Sequence, residues 1–375
     1  MRRHSSLNRG SHKHLITKCA LQEGHLVLMP KMDAKEILDD RGYVVLDDII
    51  DPKTVLDPII EEYKNVLDNL AIDLYEHGEI KSTYQGLSFQ ERLIRLYTEK
   101  EDSGTGANES STRYPIAQYF DCCLPPIGIK VDTPIWCGPA VFNAITHPQL
   151  LDTIEQFIGP EIYSNPIQHV RIKPPEKYLP KNKQGHAIVG PTYWHQDQGV
   201  TTEDADETTM LTVWFPILDA PVESGPLKVV PGSHRLGLLT HCPNYLGNGS
   251  RFMGRNAQIP ENLFSAEDAI PIHVKRGSAI FMHKRTVHGS YSNESENIRW
   301  SFDLRYNPVG DATGREYLPG FIARSHAHPE NELHNPIKWQ EMWLEARASL
   351  AGFNQKDQND FRYDRWGPSH SDCVA

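Results

Sequence analysis

From Ile162 onward the chain stops reading as helix. Short runs rich in β-branched and aromatic residues (IQHVRIK, MLTVWFPIL, LKVVP, SAIFMH and IRWSFDLRY) alternate with turn clusters. This rhythm predicts an all-β sandwich or barrel. Everything before it is then confined to a supporting role.

That earlier part carries helices. Asp33 and Glu36 have capping-box spacing ahead of a short helix that Gly42 ends, and GYVVLDDII reads as a strand. Asp51-Pro52 opens a long helix in which Val55, Leu56, Ile59, Ile60, Tyr63, Val66, Leu67 and Leu70 recur at helical spacing. Ser88 and Glu91 repeat the capping-box pattern, Glu99–Ser111 reads as a polar loop, and Pro148–Phe157 is a further helix closed by Gly159-Pro160. Helices gathered ahead of many short strands imply a mainly β core buttressed by helices on one side. Trp339, Met342, Trp343, Ala346 and Leu350 form one face of a last helix, which packs on the domain or, alternatively, makes a homodimer contact. The expected organisation is a flexible tail over 1–32, a single domain over 33–350 and a C-terminal tail over 351–375.

Charge and cysteines narrow the setting. A net charge of −11 with dispersed Lys and Arg excludes a basic nucleic-acid surface and attraction to anionic lipid, and no apolar run is long enough to span a membrane. The six cysteines include no C-x-x-C pair, which points to free thiols in a reducing, intracellular and cytoplasmic setting. Met1–Lys18 lacks acidic residues and reads as a tail or as a mitochondrial leader.

The chemistry sits in TYWHQDQGV. In an extended segment residues two apart share a side, so His195 and Asp197 can converge on one ion. With 18 histidines in the chain, an H-x-D arises by accident about once, so the pair carries little weight alone. His288 in RTVHGSYSN adds a second imidazole after the strand GSAIFMH. Two imidazoles and a carboxylate on one face of an octahedral ion leave three positions open, the arrangement of non-haem Fe(II) oxygenases; a catalytic zinc needs just one. Arg299, inside NIRWSFDLRY, offers a guanidinium fork for a carboxylate, or a structural ion pair in the other reading.

These blocks together resemble the phytanoyl-CoA dioxygenase family. WHQD, TVWFPILDAPVESGPLKVVPGSH and VHGSYSNESENIRWSFDLRY follow the family's order and approximate spacing, and DDRGYVVLDDIID resembles its N-terminal strand; the likeness runs roughly from Asp33 to Pro308. It implies a double-stranded β-helix (jelly-roll, cupin-like) core, Fe(II) on His195, Asp197 and His288, and 2-oxoglutarate and O2 as co-substrates with ascorbate in support. It also implies Arg299 on the distal carboxylate of 2-oxoglutarate, with Ser290, Trp214, Gln196 and His169 around that co-substrate. Tyr193 and Trp194 flank the metal in sequence and are expected either to contact a small-molecule substrate or to serve as wall residues. Asp197 favours hydroxylation over halogenation, since halogenases resembling the family carry a small residue there. The acidic run Thr201–Thr209 reads as a solvated loop or as a lid, and His234 as part of a turn. Two rival readings are a metal-binding β-barrel sensor without turnover and a zinc hydrolase.

Overall fold

The computed structural model describes residues 33–102, 114–126, 128–181, 187, 189–243, 257–353 and 365–374, with the backbone of 19–22 and 25–28. The proposed leader Met1–Lys18 and most of the loop Glu99–Ser111 lie outside the described residues. Strands β1 (Cys19–Gln22) and β2 (His25–Leu28) pair antiparallel within the stretch expected as a tail.

The helical half forms as its sequence signals require. In α1 (Ala34–Arg41) the Asp33 and Glu36 side chains each accept the other's backbone N–H, and Gly42 closes the helix at φ 80°. It leads into β3 (Tyr43–Leu46). Asp51 accepts from Lys53 and Thr54 at the start of a turn that runs into α2 (Asp57–Glu76). The apolar stripe of α2 is buried from Ile59 through Leu74. Next come α3 (Phe89–Asp102), α4 (Ile116–Phe120), α5 (Pro139–Ile145) and α6 (Pro148–Ile158), and Ser88 and Glu91 form the second capping box ahead of α3.

The strands then build two sheets. The larger is antiparallel and seven-stranded, ordered β14 (Phe321–Ser325), β4 (Glu161–Ser164), β13 (Arg299–Pro308), β6 (Leu211–Pro216), β11 (Ala279–His283) and β3, with β5 (His169–Lys173) also pairing β13. The smaller runs β10 (Ile270–Ile272), β7 (Leu227–Val229) and β12 (His288–Ser290). A separate pair, β8 (Cys242–Pro243) with β9 (Ala257–Gln258), lies in the connection between β7 and β10.

Side-chain alternation divides the large sheet. Trp300, Phe302, Leu304 and Tyr306 of β13, with Val213, Phe215, Phe281, Val170 and Ile172, join the core under the helices. Trp214, Ile280 and Met282 face the other way, and meet Leu227, Val229 and Ile272 of the small sheet. The chain thus has a jelly-roll core with helices packed on one face of the large sheet. The interior between the sheets is left for the polar residues of β5, β6 and β13.

In α7 (Pro336–Ala351), Trp339, Trp343 and Leu350 are buried in the helix-side core, so this face packs on the domain. The stretch beyond it returns at Arg365 and docks through residue 374. Cys242 and Cys373 are disulfide-bonded with Cα atoms 5.4 Å apart, which corrects the expectation of free thiols throughout; Cys122, Cys123 and Cys137 are free and buried. Spacing along the chain carries no sign of this pair, because residues separated by 131 positions meet only through the fold. The cysteine argument for a reducing compartment falls with it. Among the described residues no helix is long and apolar enough to cross a membrane.

The Trp300 ring lies 5.0 Å from Tyr63 of α2 and 5.2 Å from Phe89 of α3, joining sheet to helices. Trp300→Ala should cost about 3–5 kcal/mol, as truncation of a buried aromatic does. Urea unfolding measures it, and a loss under about 1 kcal/mol would show that the helices do not depend on this joint.

Candidate metal centre

Three side chains from three sequence positions meet between the sheets. His195 forms an isolated bridge with His288, in which each backbone N–H donates to the other's carbonyl at 2.9 and 3.0 Å. Their rings lie 4.1 Å apart. Asp197 follows at the start of a short 3-10 turn, and its Oδ1 is 3.9 Å from both His195 Nε2 and His288 Nε2. One ligand atom from each residue falls within 4.8 Å of the others.

Each of the three side chains is aimed by a further hydrogen bond. His195 Nδ1 lies 2.8 Å from the Tyr193 carbonyl and His288 Nδ1 2.9 Å from the Thr286 carbonyl. A carbonyl only accepts, so Nδ1 carries the proton in both rings and Nε2 offers its lone pair to the centre. Burial and the neighbouring His288 push His195 down to about 3, so it is neutral over the physiological range. Asp197 accepts at Oδ2 from Thr212 and at Oδ1 from Arg305 Nη2, the latter at 2.7 Å. Burial disfavours its charge, but Arg305 and the two histidines outweigh burial and hold the carboxyl below its ordinary range. Two imidazole Nε2 atoms beside an ionised carboxylate make a donor set that fits a divalent ion.

Arg305 and Thr212 were missed by sequence reasoning. They are neighbours across β13 and β6, and both reach Asp197 from the inner face. Period-two alternation held the signal: Arg299, Ser301, Asp303 and Arg305 occupy alternate places along IRWSFDLRY. Asp303 also pairs with Arg305 at 3.1 Å. Burial opposes the guanidinium's charge, yet Asp197 and Asp303 together raise it above its usual value.

One strand repeat from His288, on the same side of β12, is Ser290. Its Oγ accepts from Thr192 N–H at 2.9 Å and from the ammonium of Lys173. Sequence reasoning missed Lys173 as well. It sits opposite Arg299 in the β5–β13 register and shares its face with His169. Burial, then Arg299 and Arg171, hold Lys173 well below the ordinary lysine range. Arg299 donates to the Gly225 carbonyl at 2.8 Å and lies 5.7 Å from the Trp214 ring. Its Nε has no hydrogen-bond partner, and burial and Arg171 lower its pKa to about 10. Among the described residues Arg299 makes no ion pair. A buried, incompletely satisfied guanidinium beside a buried ammonium fits a carboxylate arriving from outside the chain. Gly225 adopts φ 77°, and a Cβ there would lie 2.7 Å from the Tyr291 carbonyl, so glycine is required where the chain presents this carbonyl.

The remaining expected residues separate. Trp214 and His169 lie on inner faces; His169 Nδ1 is 2.9 Å from Asp121. Gln196 does not reach the pocket: its Nε2 donates to the Gly237 and Arg285 carbonyls and its Oε1 accepts from Leu239 N–H. The alternation that points His195 and Asp197 inward points Gln196 outward, where it fixes the loop. Trp194 likewise packs with Val230, Ile259 and Val287 and donates to Glu261, away from the ligands. Tyr193 contributes its carbonyl to His195. His234 is outside the cluster, its Nε2 3.0 Å from the Asp39 carbonyl. In the acidic run, Asp206 accepts from Gln198 and Arg365, so this part of it is tied down.

Comparison with known proteins follows the same residues. The family model "Phytanoyl-CoA dioxygenase (PhyH)" matches residues 127–301, which include His195, Asp197, His288, Lys173 and Arg299. The chain is similar to a phytanoyl-CoA dioxygenase domain-containing protein 1 of Mus musculus, 27% identical over 51% of this chain and 60% of that protein. It is also similar to a phytanoyl-CoA dioxygenase of Arabidopsis thaliana, 30% identical over 31% of this chain and 38% of the relative. These matches thus span less than two thirds of each relative's length. Among solved structures, a non-heme monooxygenase (ThoJ, apo) is similar at 15% identity, covering 88% of this chain and 98% of that chain with a TM-score of 0.47.

Two outcomes are expected. Burial lowers His241, beside the metal loop, to about 4, as it lowers His195 to about 3. A histidine whose pKa falls on folding binds fewer protons folded than unfolded, so its stabilisation is complete above about pH 6.5 and declines as pH falls toward the folded value. Between pH 7 and pH 5 the metal-free protein should lose on the order of 2 kcal/mol per histidine, read by urea unfolding at the two pH values. Arg305→Met should weaken divalent-metal binding about 10–100-fold by freeing the ligand carboxylate, as calorimetric titration would report.

Proposed function

We propose, from the match of residues 127–301 to the phytanoyl-CoA dioxygenase family model, that the chain is a member of that family and an Fe(II)- and 2-oxoglutarate-dependent dioxygenase. Its reaction is hydroxylation of a small organic molecule with release of succinate and CO2. The observation that carries this reading is the pairing of two sites on one face of β12. His288 belongs to the ligand cluster, and Ser290, two residues on, belongs to the cationic recess of Lys173 and Arg299. Two strand residues span about 6.6 Å, a separation suited to a short diacid held at both ends.

His195, Asp197 and His288 would hold the iron, which, with 2-oxoglutarate and O2 bound, supplies the oxidising chemistry. The chain's own contribution is positional and electrostatic. Nδ1 of each histidine donates to a backbone carbonyl, which selects the tautomer whose lone pair is on Nε2 and fixes both rings. Thr212 and Arg305 fix the Asp197 carboxylate and leave it ionised. Arg299, Lys173 and Ser290 hold the far carboxylate of the co-substrate, and Trp214 lies against the Arg299 guanidinium. The apolar residues between the sheets, Leu227, Val229, Ile280 and Met282, keep water from the recess. Asp197 supports hydroxylation over halogenation, because a carboxylate occupies the position that a halide would need.

Purified protein supplied with Fe(II), ascorbate, 2-oxoglutarate and O2 should form succinate slowly even without its substrate, and His195→Ala should abolish this. Arg299→Ala should raise the KM for 2-oxoglutarate about 10–100-fold, since a charge-assisted hydrogen bond contributes about 1.5–3 kcal/mol. No succinate and no 2-oxoglutarate binding would overturn the assignment and favour a metal-binding barrel without turnover.

A further inference from the structure

The loop carrying His195 and Asp197 is held from outside by a segment beyond the family match. Arg365 donates to the Thr201 carbonyl at 2.8 Å, to the Thr202 carbonyl at 2.9 Å and to Asp206 Oδ1 at 2.6 Å. Asp206 Oδ1 in turn accepts from Gln198 Nε2 at 2.7 Å, one residue past the ligand carboxylate. The Trp366 ring stacks on His241 at 5.2 Å, with 18° between the planes. His241 Nε2 accepts from the N–H of Gln196, the middle residue of the H-x-D, at 2.9 Å. A Cβ at Gly199 would lie 2.3 Å from the His241 ring, so glycine lets the turn after Asp197 close on that imidazole. The far end of the segment is fastened at Asp372, which accepts from Thr240 at 2.6 Å, and at Cys373, bonded to Cys242.

We propose that residues 365–374 are a redox-releasable clamp on the metal-ligand loop, with Arg365 and Trp366 as positioning residues and the Cys242–Cys373 disulfide as the lock. The inference rests on His195, Asp197 and His288 being metal ligands. Secondary structure does little to hold the segment, whose one regular element is the short 3-10 turn Ser371–Cys373. Its attachment therefore depends on a few side chains and on tethering at both ends. One tether is the chain running from α7; the other is the disulfide. Removing the second lowers the effective concentration of Arg365 and Trp366 at their partners. A dithiol reductant opens the bond in two exchanges. One thiolate attacks a sulfur of the pair, forms a mixed disulfide and releases one cysteine thiolate. The reductant's second thiol then closes its own disulfide and releases the other cysteine. Two electrons and two protons pass to Cys242 and Cys373. Once the clamp has left, Thr201, Thr202 and Asp206 lose Arg365, and His241 loses its stacking partner. Gln196 and Gln198, on either side of Asp197, then rest on a less constrained support. The expected effect is weaker metal binding with the fold retained.

The test uses the full-length protein and Co(II), whose visible absorption reports ligation. Oxidised protein, and protein treated with dithiothreitol and freed of it anaerobically, are titrated in parallel, with urea unfolding on the same samples. Reduction should raise the Co(II) Kd about tenfold, the low end for loss of groups that support metal ligands, and reoxidation should restore it. Cys373→Ser should show the weaker affinity from the outset and ignore the reductant. Arg365→Ala should weaken binding more than Arg365→Lys. If Cys373→Ser does not fold, the reduced wild type still gives the reading. Equal affinity in the oxidised and reduced wild type overturns the proposal, as does a fall in unfolding stability with no change in affinity. Alkylation of both Cys242 and Cys373 in the unreduced protein overturns it too, as does a complete lack of Co(II) binding. Co(II) ligation is read without turnover, so failure to form succinate would remove the dioxygenase assignment and leave this contrast measurable.

Discussion

Two backbone hydrogen bonds between His195 and His288 join the H-x-D loop to the small sheet, and the candidate metal site depends on that junction. They bring the two rings to 4.1 Å and fix the direction in which Asp197 enters. Neither histidine could be aimed by its own element alone. Each has its Nδ1 satisfied by the carbonyl two residues earlier, a local bond that holds the ring only once the bridge has placed the backbone. The loop is then fixed from behind by Gln196 and His241, and the carboxylate from within by Thr212 and Arg305.

The electrostatics of the interior follow from strand alternation. The faces of β5, β6 and β13 that carry Val170, Phe215 and Trp300 merge with the helices, so the opposite faces are left to hold charge. Arg305 is compensated by Asp197 and Asp303. Lys173 and Arg299 have no such partner among the described ion pairs, and burial depresses both. Burying two cations together is costly unless an anion joins them. That cost is a reason to expect an anionic ligand in the recess.

Local rules make several elements legible from the amino-acid sequence alone. The capping boxes at Asp33 and Ser88, the stripe of α2, the strand runs after Ile162 and the apolar face of α7 all follow from such rules, and they form as expected. The clustering of His195, Asp197 and His288 is legible because they sit in blocks with their own pattern. Arg305 and Lys173 escape sequence reasoning although the same alternation marks them, since nothing local separates them from the ordinary charges of a strand. Gln196 and Trp194 are drawn toward the site by sequence proximity, whereas the period of two sends them to the opposite side of the loop from His195.

The sequence by itself determined which residue types are available, which face of each strand they occupy, and that a β core would follow a helical half. Periodicity and capping are local physics, readable within a few residues. Only the tertiary structure decided the long-range matters. It set Lys173 opposite Arg299, brought Arg305 to Asp197, joined Cys242 to Cys373, and laid Arg365 on the H-x-D loop and Trp366 on His241. These contacts arise from the closing of two sheets and the return of a distant segment, and no spacing along the chain encodes such meetings.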